Sequence, residues 1–288
     1  MTTQKIHLAL VACLFSTALQ AAPGAVVEAV QYPAWLERGG QAVPLTPGTV
    51  LQSSDKLRTG DNARVQLKMG EGSTVKLGEK AAFVIDRVEN RGVFRATLSV
   101  LTGAFRFTTD ALKKKAPRDV SIRAKNVTAG VRGTDLWGKA ADDKDVICLF
   151  EGKITVAAEG HPTVTMDSPL DFYQLPRAGQ PVVAKVTPQQ VEKWSAETDM
   201  PRDGAAARTG GRWRVVAGTF AQRDQALSLN RALRTAGYPA QIASRDKAFA
   251  VVVPGLAGEA EARMLMAGLA KVEGVASPSI EESHAKKQ

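Results

Sequence analysis

The chain has 288 residues, 44% of them hydrophobic and 23% charged, which is typical of one or two globular domains and excludes a disordered chain. Its formal net charge is +9, which favours polyanionic partners. Aromatic residues make up only 6% of the chain, and no basic run alternates with aromatics, so nucleic acid is disfavoured as a partner.

The N-terminus has the pattern of an export signal. Met1 to Lys5 carry a positive charge, residues 6–19 are apolar, and small residues around Ala21 and Ala22 suit cleavage. The apolar run is shorter than the roughly 20 residues of a spanning helix. We therefore expect a cleaved signal peptide over residues 1–22, a periplasmic protein, and no transmembrane helix in the mature chain. A lipid anchor on Cys13 is a minor alternative, because residues 10–13 resemble a lipoprotein box.

The sequence offers no recognisable catalytic or metal-binding chemistry. Cleavage would leave Cys148 as the only cysteine, in a strand pattern that indicates a buried and unreactive thiol. His161 and His284 have no cysteine or carboxylate cluster at ligand spacing around them. We expect no catalytic residue, no metal and no cofactor, and hence a protein that is not an enzyme.

Residues 25–175 predict an all-β domain. Short alternating segments, each bounded by glycine or polar turn residues, recur throughout the span, and no helical period appears. Such a pattern is typical of a sandwich, a roll or a β-solenoid. Turns are predicted at residues 60–62, at 70–72, at Gly78 and at Gly152.

The segment from Asn126 to Gly138 organises this domain. Its apolar and polar residues alternate until Gly133, which predicts a hairpin or a bulge at that glycine. Trp137 resumes the strand and should bury a large aromatic surface.

This segment resembles the "VRGT-x-[FLW]-W" core of the FecR-type domain, and the strand through Gly152 resembles the one that follows it in that family. The residues that carry the motif are Arg132, Gly133, Thr134, Trp137 and Gly152. The resemblance spans residues 25–175 and implies a domain that contacts an envelope protein or another envelope component. It also implies an alternative, a regulator or sensor in envelope signalling. The five residues before the apolar run argue against a cytoplasmic anti-sigma segment.

Residues 176–211 predict a linker that contains one helix. Thr187 and Pro188 suit a helix start, and Trp194 should pack the helix onto the β domain. Residues 200–211 are rich in alanine and glycine and predict a flexible connection.

Residues 212–282 predict a small α+β domain of βαββαβ type, with a tail at 283–288. Two amphipathic helices alternate with four strands, so both helices should cover one face of the sheet and leave the other free. On the first strand, Trp213 and Val215 should point towards the helices and Arg214 away from them.

This second domain resembles the SPOR (sporulation-related repeat) family, in its "V-x-v-G-s-F" strand at residues 215–220 and its following helix. The family binds peptidoglycan glycan strands that lack stem peptides (denuded strands), in a groove over the sheet. Val216 and Ala250 replace a glutamine and an arginine frequent in the family. The resemblance, applied to this sequence, gives a glycan-binding set of Arg214, Val216, Thr219, Arg245, Lys247 and Phe249.

The sequence therefore predicts an exported, non-catalytic cell-envelope protein. Its second domain would bind denuded peptidoglycan glycan strands, and its first would contact an envelope partner. A wall-lytic enzyme is the least favoured alternative: its paired carboxylates would need no motif, but nothing in the sequence pairs two carboxylates.

Overall fold

The structure is a computed structural model, and it describes residues 24–109, 117–200, 206–245 and 247–283. The predicted signal peptide, Cys13 and the C-terminal tail from His284 lie outside the described residues. No helix in these ranges is long and apolar enough to cross a membrane.

The first part of the chain is built from strands, as predicted. Its strands are β1 Ala25–Gln31, β2 Ala34–Arg38, β3 Gln41–Pro44, β4 Val50–Leu51, β5 Lys56–Thr59, β6 Arg64–Met69, β7 Thr74–Leu77, β8 Ala82–Arg91, β9 Val93–Thr108, β10 Arg118–Ala124, β11 Val127–Ala140, β12 Lys144–Ala158, β13 Val164–Met166, β14 Asp171–Pro176 and β15 Val182–Lys185. The remaining elements are helix α1 Pro188–Thr198, β16 Ala206–Arg208, β17 Trp213–Phe220, α2 Arg223–Thr235, β18 Gln241–Arg245, β19 Ala248–Leu256, α3 Glu259–Leu269 and β20 Ser279–Glu282.

We call strands β1–β15 the first unit, and β17–β20 with α2 and α3 the second unit. Strand β9 holds the first unit together. Its first half pairs with β8 on one side and runs parallel to β10 on the other, and its second half pairs with β7 and β11. One long strand thereby connects β7, β8, β10 and β11 within a large open sheet. Alternate residues face inward, and Phe83, Phe94, Phe105 and Phe107 are at most 2% exposed.

Strands β11 and β12 are longer than the sequence pattern indicates, because each passes through a glycine. The register moves from Arg132 opposite Lys153 to Asp135 opposite Glu151, so two residues of β11 face Gly152 alone. Gly133 has φ +65° and Gly152 has φ +96°. The bulge expected at Gly133 is present. The turn expected at Gly152 is wrong, because that glycine lies inside a paired strand.

Gly133→Val should lower the free energy of unfolding by about 1–3 kcal/mol, because a β-branched residue is strained at positive φ. Gly130→Val is the matched control in the same strand: its φ is ordinary, and the new Cβ would meet only the hydroxyl of Thr155, at 2.9 Å. Chemical denaturation of the two variants checks this prediction. Equal stability losses would show that backbone conformation at Gly133 does not matter.

Helix α1 packs firmly on the first unit. Thr187 caps it, its Oγ1 accepting from the Gln190 N–H at 3.3 Å. The Trp194 ring stacks on Trp137, with centroids 4.7 Å apart and planes 1° from parallel, and on Phe172 at 5.5 Å. The predicted role of Trp194, packing the helix onto the β domain, is confirmed.

Trp194→Ala should destabilise the first unit by about 2–3 kcal/mol, since it removes a half-buried indole from two aromatic neighbours. Lys193→Ala, exposed on the same helix, is the control and should change little. Thermal unfolding followed by near-ultraviolet circular dichroism reports on the stack directly. Identical melting temperatures for the two variants would contradict the packing role.

The connection between the two units contains more structure than the sequence predicts. Strand β16 pairs with β1 of the first unit and, through Ala207 opposite Leu256, with β19 of the second. Within residues 200–211, Ala206–Arg208 is therefore a paired strand and not a flexible segment. Short alanine-rich strands carry no pattern in the sequence, because alanine favours neither face.

The second unit has the predicted βαββαβ order. Its sheet runs β20–β17–β19–β18, and all neighbours are antiparallel. Both helices pack on one face, where Val215 and Val251 join Leu229, Leu233 and Leu265 in the core. Within the described ranges, no helix packs on the other face of the sheet.

Candidate functional site

The strand register of the second unit defines the helix-free face. In β17 the register shifts at Ala217, so that Val216 lies opposite Val252 and Thr219 opposite Ala250. This bulge returns Thr219 to the face of Val216, although strict alternation would place it on the other side. Arg214, Val216 and Thr219 therefore share the helix-free face, as the predicted binding set requires.

The centre of this face is apolar, and its side chains are almost inaccessible to solvent. Val216, Ala250 and Val252 form a cluster with exposed fractions of 6%, 0% and 4%, and Ala243 packs beside them. Val216 and Ala250 are the two departures from the family pattern, and neither offers a hydrogen-bonding side chain. We call these four residues the floor.

Polar side chains surround the floor. Arg214 Nε donates to Glu281 Oε2 at 3.1 Å, and the two side chains form an ion pair, with Nη2 at 3.0 Å from the same oxygen. Thr219 is exposed, and so are Gln241, opposite Val252, and Ser279, opposite Val216. These five residues, Arg214, Thr219, Gln241, Ser279 and Glu281, are called the rim. Sequence reasoning missed Gln241, Ser279 and Glu281, because only strand pairing brings them to this face.

The other predicted glycan-binding residues are placed differently. Arg245 occupies a register position opposite Ala248, and Lys247 is exposed in the turn between β18 and β19. Phe249 lies opposite Phe220 and packs against the helix-side core. Its expected position at the groove is thus corrected. Phe249 lies two residues before Val251 in β19, so both side chains point to the face that the helices cover. A phenyl ring buries more apolar area there than on the helix-free face.

The motif of the first unit is mostly structural. Thr134 is 3% exposed, and its N–H donates to Thr109 Oγ1 at 3.1 Å, while Trp137 is 1% exposed. Arg132, opposite Lys153, and Gly152 are exposed. These residues shape a strand junction, and only Arg132 presents a functional group.

Cys148 lies beside this motif and is fully buried. Burial, with a smaller contribution from the charge of Asp171, raises the pKa of its thiol to about 12. A thiol with so high a pKa is not a nucleophile near neutral pH. Among the described residues, no three histidine, cysteine or acidic side chains could together hold a metal ion.

Comparison with known proteins identifies both parts of the chain. A family model described as FecR protein matches residues 55–155, and one described as SPOR domain matches residues 209–278. Both resemblances seen in the sequence are confirmed, in the predicted order. No curated protein matches the chain.

Two crystal structures of a candidate anti-sigma factor from Parabacteroides distasonis are similar to the chain, at 14% and 12% identity with TM-scores of 0.41 and 0.42. The first likeness covers 48% of this chain and 63% of that one, less than two thirds of its length. The second covers 75% of this chain and 91% of the other.

Proposed function

We propose that this chain, which carries a FecR-family segment followed by a SPOR domain, is an exported, non-catalytic envelope protein that binds denuded peptidoglycan glycan strands. SPOR domains bind peptidoglycan, and both family matches indicate a protein of the cell envelope. The helix-free face of the second unit is the binding surface in this proposal.

The observation that carries the proposal is the composition of that face. An apolar floor lies inside a rim of hydroxyl, amide, carboxylate and guanidinium groups. Sugars offer hydroxyl and acetamido groups that can form hydrogen bonds with these polar side chains. Because the floor is apolar and almost inaccessible, the glycan strand would form its hydrogen bonds with the exposed rim residues Thr219, Gln241 and Ser279.

Charge should strengthen this contact. Removal of stem peptides leaves a carboxylate on each N-acetylmuramic acid unit, and the chain carries a net charge of +9. The attraction acts between exposed groups, so added salt should weaken binding without abolishing it.

Competition tests the proposal. Protein bound to purified sacculi should be released by an excess of soluble glycan strands freed of peptide. The same concentration of soluble stem peptide should release none. Release by the peptide alone would show that the stem peptide, and not the glycan, is the ligand.

The FecR-like unit serves, in this proposal, to contact an envelope partner. Its strand β15 pairs with β14 on one side, and Val182 and Val183 are 47% and 54% exposed. An exposed apolar strand at a sheet edge is a surface onto which a partner strand can add. A regulatory role in envelope signalling, the alternative that the FecR match favours, would use the same kind of contact.

Export in this proposal includes cleavage of the signal peptide, which sets the first residue of the mature protein. The charged and apolar N-terminal segments predict cleavage near Ala21 or Ala22. N-terminal sequencing of protein isolated from the periplasm should therefore read from about Ala22. A diacylated Cys13 or a retained Met1 would contradict this prediction.

A further inference from the structure

A cleft lies where the two units meet, and direct contacts fix its walls. The Ala34 N–H donates to the Gly237 carbonyl at 3.2 Å, and Trp35 Nε1 donates to the Thr235 carbonyl at 3.1 Å. The Tyr32 and Tyr238 rings lie 6.3 Å apart. A Cβ on Gly237 would lie 2.6 Å from Trp35, so glycine permits this close approach.

The cleft has a volume of about 560 Å³, within the range of small-molecule sites, which often occur between domains. Apolar side chains form most of its wall: Tyr32, Pro33, Trp35, Tyr238, Leu265 and Val272. Asp61, Asn62 and Lys271 lie at its edge and are exposed, and the carboxylate of Asp61 is paired with Lys80 at 3.0 Å. In the described part of the chain, Lys271 makes no ion pair.

Gln31 supplies the buried polar side chain of the cleft. Its side chain lines the cleft, although the residue is only 3% exposed. Nε2 donates to the Asn62 carbonyl at 2.5 Å, and this bond orients the amide. Oε1 is buried and has no hydrogen-bond partner among the described residues. A buried acceptor of this kind is stabilised by any ligand that brings an N–H or O–H donor.

We propose that this cleft binds one N-acetylated sugar acid unit of a glycan, at a site separate from the helix-free face. An acetamido N–H would meet Gln31 Oε1, the apolar faces of the sugar and its methyl group would meet the aromatic wall, and a carboxylate would meet Lys271. An entirely apolar ligand would leave Oε1 unpaired. The choice of a glycan rests on the proposed function, whereas the position of the site does not.

Gly268 of α3 offers a matched pair of variants. It lines the cleft, and a Cβ there would meet only Tyr238 Oη, at 3.8 Å, an ordinary contact. Gly268→Ala should therefore leave the cleft open. Gly268→Leu should fill it with a side chain.

The test titrates the full chain, carrying ¹³C-methyl methionine, with the peptide-free disaccharide of N-acetylglucosamine and N-acetylmuramic acid. Met264 lines the cleft and is 42% exposed, while Met69 and Met166 are buried in the first unit. We expect the Met264 resonance to shift saturably while those of Met69 and Met166 stay fixed. Gly268→Ala should bind like wild type, and Gly268→Leu and Gln31→Met should each bind at least tenfold more weakly.

Either of two outcomes would overturn the proposal: a Met264 resonance that does not move, or equal affinity in wild type and Gly268→Leu. Sacculus binding is measured on the same variants, so that the two sites can be told apart. If Gly268→Leu loses the Met264 shift but still pellets with sacculi, the cleft is a second site. If the wild type shows the Met264 shift but does not pellet with sacculi, the cleft proposal stands and the proposed function of the helix-free face fails.

Discussion

Gly152→Ala should lower the free energy of unfolding by about 2–5 kcal/mol, a large loss for the addition of one methyl group. Two costs combine at this position. The backbone has φ +96°, where an L-residue is strained, and the new Cβ would lie 2.6 Å from the Gly133 carbonyl oxygen and 2.9 Å from Thr134 Cγ2. Neither neighbour can yield easily, because Thr134 is buried and its backbone N–H is bonded to Thr109.

Gly160→Ala separates the two costs. Gly160 has φ +75°, but nothing lies within 4 Å of the position where its Cβ would be. It should lose only the conformational contribution, about 1 kcal/mol. Urea denaturation of both variants, with aromatic circular dichroism reporting on the first unit, checks the difference. Equal losses would show that the close contact at Gly152 is relieved without cost.

The same region shows why sequence reasoning found the strands but not their lengths. The alternation of apolar and polar residues predicts each half of β11 and β12 correctly. The bulge shifts that alternation by one residue, so each long strand appears in the sequence as two short ones. Gly152 lies at a bulge and not in a turn because it faces Gly133 and Thr134 across the sheet, nineteen and eighteen positions earlier in the chain. A sequence shows each glycine but not the pairing between them.

The candidate site was likewise predicted only in part from the sequence. Composition and strand parity placed Arg214 and Val216 on the helix-free face, and the family resemblance supplied the ligand. The bulge at Ala217 decides where Thr219 lies, and the register of β18 and β20 brings in Gln241, Ser279 and Glu281. The cleft between the units depends on tertiary packing alone, so the sequence gives no sign of it.

Thr219→Glu combined with Gln241→Glu should weaken binding to sacculi at least tenfold, a change of about 1.4 kcal/mol. Both residues are exposed on the rim, and the new carboxylates would face the negative charges of a denuded strand. Arg214 is left unchanged because it is paired with Glu281, and reversing its charge would disturb the contact between β17 and β20.

Gln225→Glu combined with Ser228→Glu is the matched control. These residues are exposed on α2, on the opposite side of the second unit, and the change in net charge is the same. Binding isotherms from co-sedimentation give both affinities. If the two double variants bind equally weakly, overall charge and not the helix-free face determines binding.

Co-sedimentation of the wild-type protein with purified sacculi, before and after amidase treatment, tests the central claim most directly. Amidase removes the stem peptides and leaves the glycan, so binding per mass of sacculus should rise with the extent of digestion. Binding that stays constant, or falls as the peptides are removed, would contradict recognition of denuded glycan by this protein.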